Sequence, residues 1–162
     1  MTPRKLEVIA APDEPTIVTR RVVDAPRALV FDAFTKPEHI QRWIGPRIFS
    51  WVLCESDLRV GGAWRWRQRS PDGQEFGFHG VFKEISRPER IVWTYVFDPF
   101  PDAEAVETLT LEERDGKTTV TTLTVHKTLQ ARDGHLSDGR MEAGMIEGYQ
   151  RLDELLSGLQ AR

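Results

Sequence analysis

Residues 137–159 limit most strongly what this chain can become. On a helix turning about 100° per residue, Met141, Gly144, Met145, Gly148, Leu152, Leu155, Leu156 and Leu159 share one side. They fill an arc of roughly 120°, the width of a core-facing stripe. Glu142, Glu147, Gln150, Asp153 and Glu154 lie outside it. Ser137 or Asp138 suits the N-cap, where a short oxygen-bearing side chain accepts an unpaired backbone N–H. Each glycine inside a helix costs about 1 kcal/mol relative to Ala. Gly144 and Gly148 are four apart, so they stack on the buried face and leave a trough. A strand, a large ring or a ligand must come close to it. A long helix with one apolar face needs a surface to lie on, and the preceding residues supply one.

That surface is a sheet. Residues 16–23 alternate and are rich in β-branched side chains, so they predict a first strand. Asp24-Ala25-Pro26 ends it and opens a short helix through about Thr35, with Asp24 or Ala25 as the cap before the proline. Pro37 opens a second short helix, with Ile40, Trp43 and Ile44 at i, i+3 and i+4, closed by Gly45-Pro46. From Phe49 the period becomes two. Strands are expected over 50–58, 63–69, 75–85, 91–97, 106–113 and 118–125. Gly61-Gly62, Pro71-Asp72-Gly73, Arg87-Pro88-Glu89 and Asp115-Gly116 mark turns between them. Residues 130–139 read as a polar loop. The order is one strand, two small helices, about six antiparallel strands, then one long helix, an α+β fold with a curved sheet around the last helix.

The chain has 162 residues and suits one domain, residues 16–160, behind a loose lead-in over 1–15. Its net charge of −3 provides no positive field for a nucleic acid or an anionic membrane. The single cysteine, Cys54, cannot close an internal disulfide. With no secretory h-region and no apolar run of about 20 residues, a cytoplasmic location is expected. Five tryptophans and eight phenylalanines demand burial, in a core or around a cavity.

Several stretches together carry a resemblance. They are Asp24-Ala25-Pro26 through Phe31-Asp32-Ala33-Phe34-Thr35, and Pro37-Glu38 through Trp43-Ile44-Gly45-Pro46. To these add Asp57-Leu58-Arg59-Val60-Gly61-Gly62-Ala63-Trp64, Gly80-Val81-Phe82-Lys83-Glu84-Ile85, and Pro88-Glu89-Arg90-Ile91-Val92. In this order, over roughly residues 16–156, the chain resembles homologues of the activator of heat-shock protein 90 ATPase, C-terminal domain type. These belong to the START/Bet v 1-like (SRPBCC) superfamily. The resemblance implies a helix-grip fold: a curved antiparallel sheet around a C-terminal helix, with a cavity between. It implies relatives that are small bacterial proteins of unassigned biochemical role. In the superfamily, members carry lipids, hormones or polyketides, and some are cyclases. The eukaryotic activator needs a further N-terminal domain, for which this sequence has no room, so a chaperone partner is not expected.

The candidate site is aromatic. Trp64 and Trp66 share a strand face, as do Phe76 and Phe78, and Trp93, Tyr95 and Phe97. The expectation is a cavity wall for a flat or greasy guest, closed by Met141, Met145, Gly148 and Tyr149, with methionine adapting to varied shapes. A solid core of rings is the alternative. Among the polar strand residues His79, Glu84, Tyr95, Arg67 and His126, only Tyr95 shares its face with large rings, which makes it the one candidate for catalysis. His39, His79, His126 and His135 show no ligand spacing, so no metal is expected, and no cofactor is implied. Asp57 and Arg59 suit an ion pair at a hairpin entrance. Alternation puts Arg65, Arg67 and Arg69 opposite the rings, as a solvated face paired with acids. The function expected is binding of a small hydrophobic or aromatic molecule, in stress response or detoxification. A cyclase or hydrolase in the same cavity and a cochaperone-like interaction module are the alternatives. A homodimer is left open.

Overall fold

The computed structural model describes residues 5–136 and 139–161. Its strands are β1 (Glu7–Ile9), β2 (Thr16–Val23), β3 (Ser50–Ser56), β4 (Ala63–Arg69), β5 (Glu75–Ser86), β6 (Arg90–Phe97), β7 (Ala105–Arg114) and β8 (Lys117–Val125). Helices α1 (Arg27–Thr35) and α2 (Pro37–Trp43) follow β2, and α3 (Leu129–Leu136) and α4 (Arg140–Gln160) follow β8. The strands form one antiparallel sheet in the order β1-β2-β8-β7-β6-β5-β4-β3. Register shifts in β3 between Trp51 and Leu53, and in β5 between Phe82 and Glu84, are places where an extra residue bends a strand.

Period two decides what faces inward. Ile17, Thr19, Arg21 and Val23 on β2 stand opposite Thr124, Thr122, Val120 and Thr118 on β8. Those in turn stand opposite Glu107, Leu109, Leu111 and Glu113 on β7. Glu107 is opposite Trp93 on β6, and Trp66 and Gln68 on β4 are opposite Phe78 and Phe76 on β5. Gly80 is opposite Trp64, and a Cβ there would run into the Thr94 carbonyl and the Trp64 indole, so only glycine lets that ring lie flat. Asp115 and Gly116, both at positive φ, make the β7–β8 turn that Asp-Gly favours.

Sequence and structure part at the lead-in, at α3 and at the N-caps of α1 and α4. The lead-in is not loose throughout, because β1 pairs with β2 and Leu6 is buried in the core. Residues 130–139 were expected as a loop, but α3 occupies most of them. Thr128 Oγ1 accepts the Ala131 N–H at 3.0 Å, and Arg132, 4% exposed, donates to the Ala11 carbonyl. Helix α3 therefore depends on a buried arginine and not on an apolar stripe, so it leaves no helical period to read. Pro26 is the N-cap of α1, and the Glu113 carboxylate of β7 accepts the Arg27 N–H at 2.8 Å. The N-caps expected for α4, Ser137 and Asp138, lie outside the described residues, and Gly139 is at that position. The trough on α4 faces α2: a Cβ on Gly148 would lie 3.2 Å from the Trp43 carbonyl, whereas one on Gly144 would meet nothing within 4 Å. Among the described residues no helix is long and apolar enough to cross a membrane.

Candidate functional site

Aromatic side chains on the concave face of β3–β6 touch in sequence. Trp51 meets Trp66 at 6.0 Å, Trp66 meets Trp64 at 4.5 Å, and Trp64 meets Tyr95 at 5.8 Å. Tyr95 meets Phe78 at 5.5 Å, Phe78 meets Phe97 at 5.0 Å, and Phe97 meets Phe76 at 6.5 Å. Six of the seven rings read from the sequence thus form one continuous ladder. Trp93, the seventh, packs on Phe82 at 6.3 Å.

Depth divides these rings. Trp64 and Trp93 are buried. A void of about 10 Å³ between Phe34, Ile40, Ser56, Trp64, Trp66, Phe82 and Trp93 has room for one water and no guest. Ser56 Oγ and Trp66 Nε1 border it and are buried without a hydrogen-bond partner. Here the expectation of an open wall at Trp64 and Trp93 gives way to packed core, because α1 and α2 bring Phe34 and Ile40 down onto the indoles. By contrast Trp66, Phe76, Phe78, Tyr95 and Phe97 stay half-buried, as do Met141, Gly144 and Met145 on α4. Tyr149 is buried, tilted against Trp43 at 5.9 Å, with the Arg21 guanidinium 5.6 Å from its ring centre. Arg21 is held by Asp153 through two hydrogen bonds of 3.0 and 2.7 Å.

One residue absent from the expected site is bonded to one of its rings. Glu107 lies on the inward face of β7, where Trp93 Nε1 donates to its Oε2 at 3.2 Å. Loss of solvent pushes its carboxyl up to about 7, and the indole N–H opposes that only partly. Burial, and then the nearby Glu107 charge, push the Tyr95 and Tyr149 phenols above their ordinary range. Both phenols therefore stay protonated and can donate. A signal for Glu107 existed: in the inward series Ala105, Glu107, Leu109, Leu111, Glu113 it is the acid with an apolar residue on either side.

The other polar candidates lie elsewhere. On the convex face His79 bonds Asp98 at 2.7 Å, Arg67 and Arg69 pair with Glu75, and Glu84 pairs with Arg90. Asp57 and Arg59 form the expected ion pair at 2.7 Å. His126 is buried 5.4 Å from the ring of His135; burial, then His135 and Arg132, push it down to about 4.

Comparison with known proteins agrees with this geometry. A family model described as Activator of Hsp90 ATPase homolog 1-like protein matches residues 24–157. A solved structure from Rhodobacter sphaeroides superposes with a TM-score of 0.86 at 23% identity, over 95% of this chain and 99% of that one. One from Nitrosomonas europaea gives 0.76 at 26% identity, over 93% and 97%. An AHSA1-like protein from Aeromonas hydrophila gives 0.69 at 19% identity, over 91% and 95%. No match was found among curated proteins. With a curved eight-stranded sheet around a C-terminal helix, and a family model spanning α1 through most of α4, the chain belongs to the Activator of Hsp90 ATPase homolog 1-like family and has its helix-grip fold.

Proposed function

We propose that the chain binds a small hydrophobic or aromatic molecule between the half-buried rings of β4–β6 and the N-terminal half of α4. The observation that carries this reading is the contrast in depth along one face. Phe78, Tyr95 and Phe97 keep solvent contact, as Met145 on α4 does, while their neighbours Trp64 and Trp93 are buried. Large rings left partly wet, beside adaptable methionines, suit a guest that completes their burial. The fold class is one that holds ligands, which supports the same reading. Catalysis is the weaker reading, since the Glu107 carboxyl bonds the Trp93 indole, and Tyr95 has no described hydrogen bond to it. On the convex side Ile9 on β1 and Leu123 and Val125 on β8 are exposed on the two strands that flank β2, which favours a protein-docking face as the second reading.

The test is titration with the fluorescent apolar probe N-phenyl-1-naphthylamine. Met145→Trp places a bulky ring in the cleft and should weaken probe binding by on the order of tenfold. Circular dichroism would confirm that the fold is kept. Unchanged affinity in a folded variant, or no binding to the unaltered protein, overturns the reading.

A further inference from the structure

We propose that the guest carries a protonated amine beside its ring, and that Glu107 selects it. This rests on the cleft proposed above and names the class of molecule it takes. Glu107 stands opposite Trp93 and diagonal to Tyr95 on the inward face, and its described partner is the Trp93 indole N–H on Oε2. No cation lies within ion-pair distance of it among the described residues. Arg21 on β2, the cation beside Tyr149, is already bound by Asp153. Thr124 on β8 is the residue opposite Glu107, and it brings no charge. A carboxyl group removed from water is ordinarily paired within the protein. Among the described residues no such cation pairs with Glu107, and its nearest inward-facing neighbours across β6 are the aromatic residues Trp93 and Tyr95.

Carboxylate and rings together make a site for an organic ammonium. The rings attract the cation through their negative faces, the carboxylate supplies the countercharge, and the hydrophobic body of the guest covers Phe78 and Phe97. The site offers a carboxylic guest much less. Its donors are two phenols and an indole already in use, and the Glu107 charge repels an anion.

The experiment compares three probes of one size by isothermal titration calorimetry: 1-naphthylmethylamine, 1-methylnaphthalene and 1-naphthoate. The amine should bind on the order of tenfold more tightly than the neutral probe at about pH 8, with the carboxylate weakest. That preference should shrink toward about pH 6, as the Glu107 carboxyl takes up its proton. Glu107→Gln keeps an acceptor for the Trp93 N–H and should bring the amine down to the affinity of the neutral probe at both pH values. Equal binding of amine and neutral probe by the unaltered protein overturns the assignment, as does a preference that survives Glu107→Gln. If none of the three binds, the cleft reading falls and takes this one with it.

Discussion

Two neighbouring regions of one concave face behave differently. On β7, β8 and β2, Leu109, Leu111, Val120, Thr118 and Val23 are sealed from solvent. On β5 and β6, Phe78, Tyr95 and Phe97 point the same way and remain partly wet. Strand period and pairing are common to both, so the difference lies in the cover. Helix α1 lies on β7 and β8, and the C-terminal half of α4 adds Leu152, Leu155 and Leu156 to the same cluster. The N-terminal half of α4 has Gly144, Met141 and Met145 on its inward side, and its backbone comes closest to α2. The C-terminal half of the helix closes a core, whereas Met141, Gly144 and Met145 in its N-terminal half stay half-buried.

The largest expected effect tests whether that division is real. Leu109→Ala removes a fully buried side chain and should cost about 3 kcal/mol in urea denaturation. Phe78→Ala deletes a larger side chain from a half-wet position and should cost about 1–2 kcal/mol. Equal losses would mean that the aromatic half is as dry as the aliphatic half.

The boundary between the halves is Glu107, and pH sharpens the contrast there. Its carboxyl is raised from 4.5 to about 7 in the folded chain, so folding favours the protonated form. Stability is therefore full below about pH 4.5 and falls as pH rises through about 7. The loss is at most about 3 kcal/mol, and smaller because Glu107 is only half-buried and keeps some contact with water. Glu107→Gln should flatten this slope in denaturation series at about pH 5 and about pH 8. A slope that persists would place the titrating group elsewhere.

The smallest effect separates the two glycines of α4. Gly144→Ala meets nothing and should raise stability by about 1 kcal/mol through helix propensity. Gly148→Ala brings a methyl group to 3.2 Å from the Trp43 carbonyl and should lose most of that gain. Thermal melts of the two variants would rank them, and a larger gain at Gly148 would show that α2 yields easily.

Most of the architecture was legible because its signals are local. The alternation over Thr16–Val23 and Ala63–Arg69, and the Asp-Gly turn at 115–116, matched the strands and turn observed. Helix α3 was not legible, since its anchor Arg132 bonds a carbonyl more than a hundred residues away. For the candidate site, alternation identified six rings that do form one ladder. It ranked Trp64 and Trp93 with the open wall, because it reports which way a side chain points and not what lies above it. The inward position of Glu107 can be counted from the sequence, but an acid beside leucines carries meaning only once folding brings the Trp93 indole onto it.

The sequence by itself determined the strand faces, the turns, the α+β order and the apolar stripe of the last helix. Each depends on residues a few positions apart, where backbone geometry imposes its period. Only the tertiary structure decided that Gly148 meets α2, that one half of the concave face is dry, and that a carboxyl group stands among the rings. Depth and pairing depend on segments far apart in the chain, and they exist only when folding brings those segments together.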